Sequence, residues 1–342
     1  MAASPVVAAP AGRDKFARAD PGRQPRPRQV GVSLKQGGAP STGKWQGSAT
    51  GGVTSPDAVV LPDPRARFAA TAARLASLAP GNPMEDWLSF MARLALAQQQ
   101  AVEAVWDILG ATPATVDQAI DARMPPLAAD GHRRDPAWRM ALVRILYEIE
   151  AGPLPARARA VTAELRAAGP AAIEALAEHF LRGDVGIEEA GPALYVAAAL
   201  QVYFTTLAAK LPAGKLRPLE QPGLCPCCGS TPSAGLVTAT GKTPGIRYLH
   251  CSLCSTAWVH VRATCITCED TRSVALEGIE GDTGLVKAET CNACHTYSKV
   301  IYQKQDMKAD PYADDLASLG IDILVAEAGW SRHAPNPLLL VA

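Results

Sequence analysis

The chain has 342 residues, of which 48% are hydrophobic and 19% are charged, and its 33 basic residues balance its 33 acidic residues. This composition is typical of a globular protein with enough apolar residues for a sizeable core. A net charge of zero argues against the strongly basic nucleic-acid-binding domains, which hold phosphates by releasing counterions. All nine cysteines fall between Cys225 and Cys294, which argues against a secreted disulfide scaffold.

Residues 1–60 are predicted to form a disordered tail. The stretch 1–55 contains six prolines and nine glycines, and its basic side chains outnumber its acidic ones by eight to two. Such a segment cannot bury enough apolar surface to offset its conformational entropy. The N-terminus lacks the basic start and long apolar run of a secretory signal, and its prolines and glycines disrupt the amphipathic pattern of a transit peptide.

Residues 61–220 are predicted to form a helical domain of five or six helices with short connections, which favours an antiparallel bundle. Asn82-Pro83-Met84-Glu85 is typical of a capped helix start, and Asp135-Pro136 begins a later helix. Two apolar faces are predicted, consisting of Trp87, Leu88, Met91, Leu94, Ala95, Val102, Val105 and Leu109, and of Met140, Val143 and Tyr147.

The segment between Glu189 and Lys210 carries no charge and is long enough to span a membrane. Gly191 and Pro192 at its start, together with polar residues within it, instead favour a buried helix of the bundle. No titratable residue of the helical domain has a partner at catalytic or ligand spacing. We therefore expect this domain to be a docking or scaffolding surface, without membrane insertion.

Eight of the nine cysteines form four C-x-x-C pairs, and the first two pairs recur at a constant offset as the last two. The interval between the pairs is also the same in both halves, which indicates two duplicated modules, over 221–262 and 263–305. Short β-rich segments lie between the pairs, as in a zinc-ribbon or rubredoxin-like module. The eight cysteines are Cys225, Cys228, Cys251, Cys254, Cys265, Cys268, Cys291 and Cys294.

Metal binding accounts for this pattern. A C-x-x-C turn points two sulfurs into one concavity, and two such turns complete a tetrahedron around one ion. A module of about 40 residues buries too little apolar surface to fold alone, and tetrathiolate binding of about 10–16 kcal/mol supplies the missing stability. We therefore predict two metal ions, one per module, held by the eight cysteines. Tetrahedral sulfur ligands suit both iron and zinc.

Other uses of the cysteines fit less well. An odd cysteine count without a secretory signal disfavours disulfides, and a redox dithiol needs a βαβ context that is missing here. Cys291-Asn-Ala-Cys294-His295 matches a haem-attachment motif, but that use would remove half of the second site and require export. Four-sulfur sites leave no open position for water, so we predict no catalytic residues and no hydrolytic enzyme.

The ninth cysteine, Cys227, lies between two predicted ligands, and we expect its thiol to point away from the site that they share. His250, His260 and His295 are predicted to lie around the sites or at the surface, because four sulfurs already fill a tetrahedron.

After the modules, residues 306–342 are predicted to form a last helix and a tail. Asp310-Pro311 begins that helix, and its apolar residues are Leu316, Leu319, Ile323 and Leu324. The predicted fold class is thus α+β, with an N-terminal helical bundle, two tandem β modules and a C-terminal helix.

Five segments carry a family resemblance: GNPMEDWLSFMARLALAQQ at 81–99, CPCCGS at 225–230, GIRYLHCSLCSTAWVHVRATCITCE at 245–269, KAETCNACHTYSKVIYQ at 287–303 and ADDLASLGID at 313–322. Through them, over about residues 60–340, the chain resembles the formate dehydrogenase accessory proteins of the FdhE family. The family's C-x-x-C cysteines carry over onto the eight cysteines named above. Two residues depart from the family's pattern: Cys227 is usually another residue, and His295 stands where glycine is common.

The resemblance implies an accessory protein. Members are cytoplasmic, are needed for active respiratory formate dehydrogenase and are thought to contact its molybdenum-containing catalytic subunit before export. They resemble rubredoxins and have been associated with iron. We therefore expect a non-enzymatic maturation factor whose helical body docks on the catalytic subunit. Two alternatives stay open: a rubredoxin-type electron-transfer protein and a zinc-ribbon nucleic-acid-binding protein, which the neutral charge disfavours.

Overall fold

The structure is a computed structural model that describes residues 34–37, 55–334 and 336–339. The tail predicted over 1–60 lies mostly outside these residues. The parts of it that are described include two short strands, β1 (Leu34–Gly37) and β2 (Val59–Val60), which both join the sheet of the later modules.

A helical body follows, as predicted. Asp63 caps its first helix, because the carboxylate accepts hydrogen bonds from the backbone N–H groups of Arg65 and Ala66. Gly183 ends the sixth helix in the left-handed region, with φ at +78°. The α-helices between residues 55 and 221 are α1 (Pro64–Leu78), α2 (Glu85–Ala101), α3 (Pro113–Asp121), α4 (Trp138–Glu150), α5 (Ala156–Ala167), α6 (Pro170–Arg182) and α7 (Ala190–Ala208).

Helix α7 is the central helix of this body. Together with the turn before it, over Ile187–Ala208, it is long and apolar enough to cross a membrane, but 78% of that stretch is buried inside the protein. Polar side chains on it are bonded internally: the Gln98 amide of α2 donates to the Ala198 carbonyl at 3.0 Å and to Gln201 Oε1 at 2.9 Å. The buried-helix prediction is therefore confirmed within the described residues.

Two details of the helical prediction are wrong. Helix α2 begins at Glu85, because the Asn82 side chain accepts from the Met84 N–H in a turn and does not cap the helix. Leu109, which the periodicity assigns to the core stripe, is 89% exposed, since the chain leaves the helical path after Ala101.

Helix α4 buries the opposite face from the one predicted. Its core residues are Trp138, Ala141, Leu142, Ile145, Leu146 and Ile149. Met140, Val143 and Tyr147 do share a face, but each is more than 50% exposed. The helix has apolar residues on two faces, and the larger contiguous one packs inward.

The two cysteine modules form strands, as predicted. The first module contributes β3 (Pro232–Val237), β4 (Arg247–Cys251) and β5 (Ala257–His260), and the second contributes β6 (Val274–Ile279), β7 (Val286–Cys291) and β8 (Thr296–Tyr302). Each set is antiparallel. A parallel pairing of β3 with β8, with Gly235 opposite Val300, merges them into one sheet of order β1-β6-β7-β8-β3-β4-β5-β2.

A buried ion pair crosses the junction between the modules. Arg247 of β4 is 1% exposed and donates to Glu289 of β7 at 2.6 Å. Gly235 of β3 makes room for it, since a Cβ there would lie only 2.9 Å from the Arg247 guanidinium. The two modules are therefore joined by side chains as well as by the sheet.

The predicted last helix is divided in two, α8 (Ala313–Ala317) and α9 (Leu319–Glu327), and the short strand β9 (Ser331–Arg332) pairs with β8. Ile323, one of the apolar residues of the predicted helix, is 53% exposed. Asp314 forms a buried ion pair with Arg74 of α1 at 2.7 Å, and Asp315 lies 3.2 Å from Lys299 of β8. This segment thus holds the helical body and the second module together.

Candidate metal centres

The structure brings the eight predicted ligands together in two groups of four. Within each group, all four sulfurs lie within 4.8 Å of one another. The first group is Cys225, Cys228, Cys251 and Cys254, and the second is Cys265, Cys268, Cys291 and Cys294. In each module one pair precedes the first strand and the other pair begins at the last residue of the second strand, so the duplicated spacing becomes a duplicated geometry.

The sulfur–sulfur distances fit a tetrahedral ion. Cys225 and Cys254 are separated by 3.4 Å, as are Cys228 and Cys251, and the pairs of the second group are separated by 3.6 and 3.7 Å. Four sulfurs at 2.3 Å from one ion would be about 3.8 Å apart. All nine cysteines are free thiols, which speaks against the disulfide alternative.

The turns that carry the ligands are built alike. The residue after the second cysteine of each C-x-x-C pair lies in the left-handed region; these four are Gly229 (φ +77°), Ser255 (φ +59°), Glu269 (φ +62°) and His295 (φ +55°). Glycine adopts this conformation without strain. A glycine at the position of His295 would therefore adopt this turn without strain.

Backbone amides of the same turns point at the sulfurs. The N–H groups of Cys227 and Thr267 lie 3.4 Å from Cys225 Sγ and Cys265 Sγ, and the N–H of Cys254 lies 3.3 Å from Cys251 Sγ. Donors in these positions stabilise negative charge on a ligand sulfur. The turns are therefore suited to hold thiolates.

Sequence reasoning missed one pair of supporting residues. Thr256 Oγ1 lies 3.2 Å from Cys254 Sγ, and Thr296 Oγ1 lies 3.1 Å from Cys294 Sγ. A hydroxyl beside a ligand sulfur orients it and can donate to the thiolate. The signal was present in the repeat, because both threonines lie two positions after the last cysteine of their module and so recur at the same offset as the ligands.

Burial makes the first group costly to ionise without a cation. Burial raises the pKa of the Cys225 thiol and of the Cys251 thiol well above the usual value, because the thiolate would lose its hydration. In contrast to these two thiols, hydrogen bonds from neighbouring thiols lower the pKa of Cys254 despite its burial. A bound cation would supply the missing charge for all four thiolates.

The two groups differ in exposure. All four cysteines of the first group are at most 1% exposed and belong to the main hydrophobic core, which extends into the helical body. In the second group, Cys268 is exposed and Cys294 is partly exposed, and the surrounding core is a small separate cluster. The first centre is therefore enclosed, whereas the second reaches the surface.

A loop of the helical body contacts the first centre directly. The N–H groups of Leu127 and Ala129, between α3 and α4, donate to the carbonyls of Cys227 and Cys228, both at 2.8 Å. On the other side, the Tyr312 hydroxyl donates to the Cys251 carbonyl at 3.2 Å. The first centre is thus held by the helical body and by the C-terminal segment.

The remaining cysteine and histidines lie outside both groups. Cys227 is fully buried and does not belong to the four-sulfur group beside it. Its thiol nevertheless interacts with Cys225 and Cys254, so the prediction that it points away from the site is wrong. Burial lowers the pKa of His250 and of His260 to about 4, so both are neutral at pH 7, and His295 is exposed.

The chain was compared with known protein families, sequences and structures. Family models described as FdhE N-terminal, FdhE central domain and FdhE C-terminal domain match residues 56–221, 224–262 and 263–339. A protein FdhE homolog of Edwardsiella ictaluri is 37% identical over 282 residues, which cover 82% of this chain and 91% of that protein. One of Pseudomonas aeruginosa is 37% identical over 277 residues, 80% of this chain and 89% of that protein.

A solved structure is also similar. The crystal structure of the FdhE protein from Pseudomonas aeruginosa aligns with a TM-score of 0.74 at 35% sequence identity, covering 82% of this chain and 98% of that one.

Proposed function

Since this chain belongs to the FdhE family of formate dehydrogenase accessory proteins, we propose that it is a cytoplasmic maturation factor that binds the molybdenum-containing catalytic subunit of a respiratory formate dehydrogenase. Its role would be that of a binding protein without catalytic residues of its own. The helical body would provide the docking surface, and the eight cysteines would hold two iron or zinc ions.

One observation carries this proposal: the first four-sulfur group is built into the same core as the helical body. Cys251 and Cys254 pack in that core with α7, and the Gln201 side chain of α7 donates to the Ser252 carbonyl in the turn between them at 2.8 Å. A site closed by four sulfurs offers no position for a substrate. Metal bound there would therefore stabilise the shape of the helical body. A protein that docks on a partner needs such a stable surface.

The test uses cysteine variants and a matched comparison variant. We expect Cys228→Ser to lower formate dehydrogenase activity and recovery of the catalytic subunit in a pulldown, because it removes one ligand of the first centre. Cys227→Ser is the comparison variant, since Cys227 is equally buried and its thiol interacts with Cys225 and Cys254 without belonging to the four-sulfur group. Full activity and full pulldown with Cys228→Ser and with the corresponding Cys268→Ser variant would refute the proposal.

The exposure of Cys268 favours a second candidate function, electron transfer at the second centre. A sulfur ligand at the surface shortens the path to an external redox partner, as in rubredoxin-type proteins. Purification without oxygen, followed by metal analysis and potentiometry, separates the two functions. A colourless zinc protein without a measurable potential would exclude electron transfer and leave the docking function unaffected.

A further inference from the structure

The outer edge of strand β6 is covered by a segment from the far N-terminus. Strand β1 pairs with it in antiparallel fashion, with Leu34 opposite Ile279 and Gly37 opposite Leu276. Strand β6 has six residues, and the four from Leu276 to Ile279 pair with β1. A strand edge presents free N–H and C=O groups that bind a further strand.

The covering strand is not part of the region matched by the family models, which begins at residue 56. A strand of four residues has little affinity of its own. A longer strand that pairs with all six residues of β6 can therefore displace it.

A buried carboxylate lies at the same edge. Glu277 is only 4% exposed, and burial raises the pKa of its carboxyl group. No ion pair or hydrogen bond to this carboxylate is formed within the described part of the chain. The residue opposite it on β1 is Gln36, which carries no charge. A cation placed across from Glu277 would compensate the cost of burying the carboxylate.

We propose that the outer edge of β6 is a docking site for an extended segment of the partner protein, which adds to the sheet as an antiparallel strand and displaces β1. The segment that fits is long enough to pair with all of β6, and it carries Lys or Arg opposite Glu277. Backbone hydrogen bonds would provide affinity, and the ion pair would fix the register. Only the identity of the partner, the formate dehydrogenase catalytic subunit, rests on the proposed function.

The first experiment tests the cover by hydrogen exchange of the β6 amides. Alternate residues of an antiparallel strand donate toward opposite edges, so either Lys35→Pro or Gln36→Pro removes an N–H that faces β6. In at least one of these variants we expect exchange of residues 276–279 to be about tenfold faster. Lys35→Ala and Gln36→Ala retain the N–H and should exchange like the unmodified chain. Unchanged exchange in both proline variants would overturn the proposal.

The second experiment measures binding of the purified catalytic subunit to the full-length chain and its variants. We expect the proline variant that exposes β6 to bind several-fold more tightly, because the competing strand no longer reduces the apparent affinity. Binding should slow exchange over 274–279, and Glu277→Gln should weaken it. Equal affinity in all variants, with no protection of β6, would overturn this inference and leave the proposed function standing. No binding to any of them would overturn both.

Discussion

In the first module every ligand cysteine is at most 1% exposed, whereas in the second module Cys268 is exposed and Cys294 is partly exposed. The turns, the left-handed residues and the threonines beside the sulfurs are the same in both. The difference comes from the neighbours, because the helical body and Tyr312 donate hydrogen bonds to the turns of the first centre. The same ligand geometry is therefore buried in the core at the first centre and accessible from the surface at the second centre.

Removing one cysteine ligand at equivalent positions of the two modules should give the largest difference in stability between them. Cys251 and Cys291 occupy corresponding places in the repeat, both end a strand, and both are at most 1% exposed. Cys251→Ser should cost on the order of 10 kcal/mol of metal-dependent stability, comparable with the total stability of a typical domain, and should unfold the helical body as well. Cys291→Ser should lose one metal ion and leave the helices folded.

Circular dichroism during thermal unfolding, together with metal content per chain, checks this expectation. Equal loss of helix in the two variants would show that the difference in surroundings has no energetic consequence.

The ion pair between the modules tests whether they unfold together. Arg247→Met leaves the Glu289 carboxylate buried without its partner, which should lower the free energy of unfolding by about 3–5 kcal/mol. The double variant Arg247→Met with Glu289→Leu should recover most of this loss. Urea denaturation measures both, and Arg144→Met, which removes an exposed pair with Glu148, should cost only about 0.5 kcal/mol. A separate unfolding transition for one module would contradict the expectation that the two modules unfold together.

Access to the sulfurs should determine how fast each centre loses its metal. A chelator can attack the second centre through Cys268, so we expect metal release in two phases whose rates differ by at least about tenfold, or about 1.4 kcal/mol in activation free energy. Cys268→Ser should abolish the fast phase. Release of metal in a single phase from the unmodified protein would contradict the expected difference in access between the two centres.

The threonines beside the sulfurs should give the smallest effect. Thr256→Val and Thr296→Val each remove one hydroxyl next to a ligand, which should weaken metal binding by about 1 kcal/mol. Thr256 is fully buried, so its loss should cost more than that of the partly exposed Thr296. Competition with a chelator of known affinity measures the two, and the opposite order would argue against burial as the cause.

The sequence predicted the ligand groups because spacing is read directly from the chain. The regular repeat of C-x-x-C pairs fixes which sulfurs meet, whatever surrounds them. It could not predict the unequal burial, since Leu127, Ala129 and Tyr312 reach the first centre from distant parts of the chain. The pairing of β3 with β8 was equally hidden, because strands that are not consecutive leave no local pattern.

Helical periodicity likewise predicted which residues share a face of a helix, and it could not predict which face is buried. It correctly grouped Met140, Val143 and Tyr147 on one face of α4, but a helix with two apolar faces does not indicate which of them packs inward. The inward face was decided by contact with α2 and α7, which only the assembled body provides.

The parallel junction of β3 and β8 has a practical consequence for anyone who expresses the modules separately. A cut between residues 262 and 263 would leave each fragment with a bare central strand, and unpaired central strands readily associate with other chains. Arg247 and Glu289 would also be parted and left as lone charges on newly opened surfaces. Aggregation of such fragments would therefore reflect a severed sheet, even if each still contains four intact sulfur ligands.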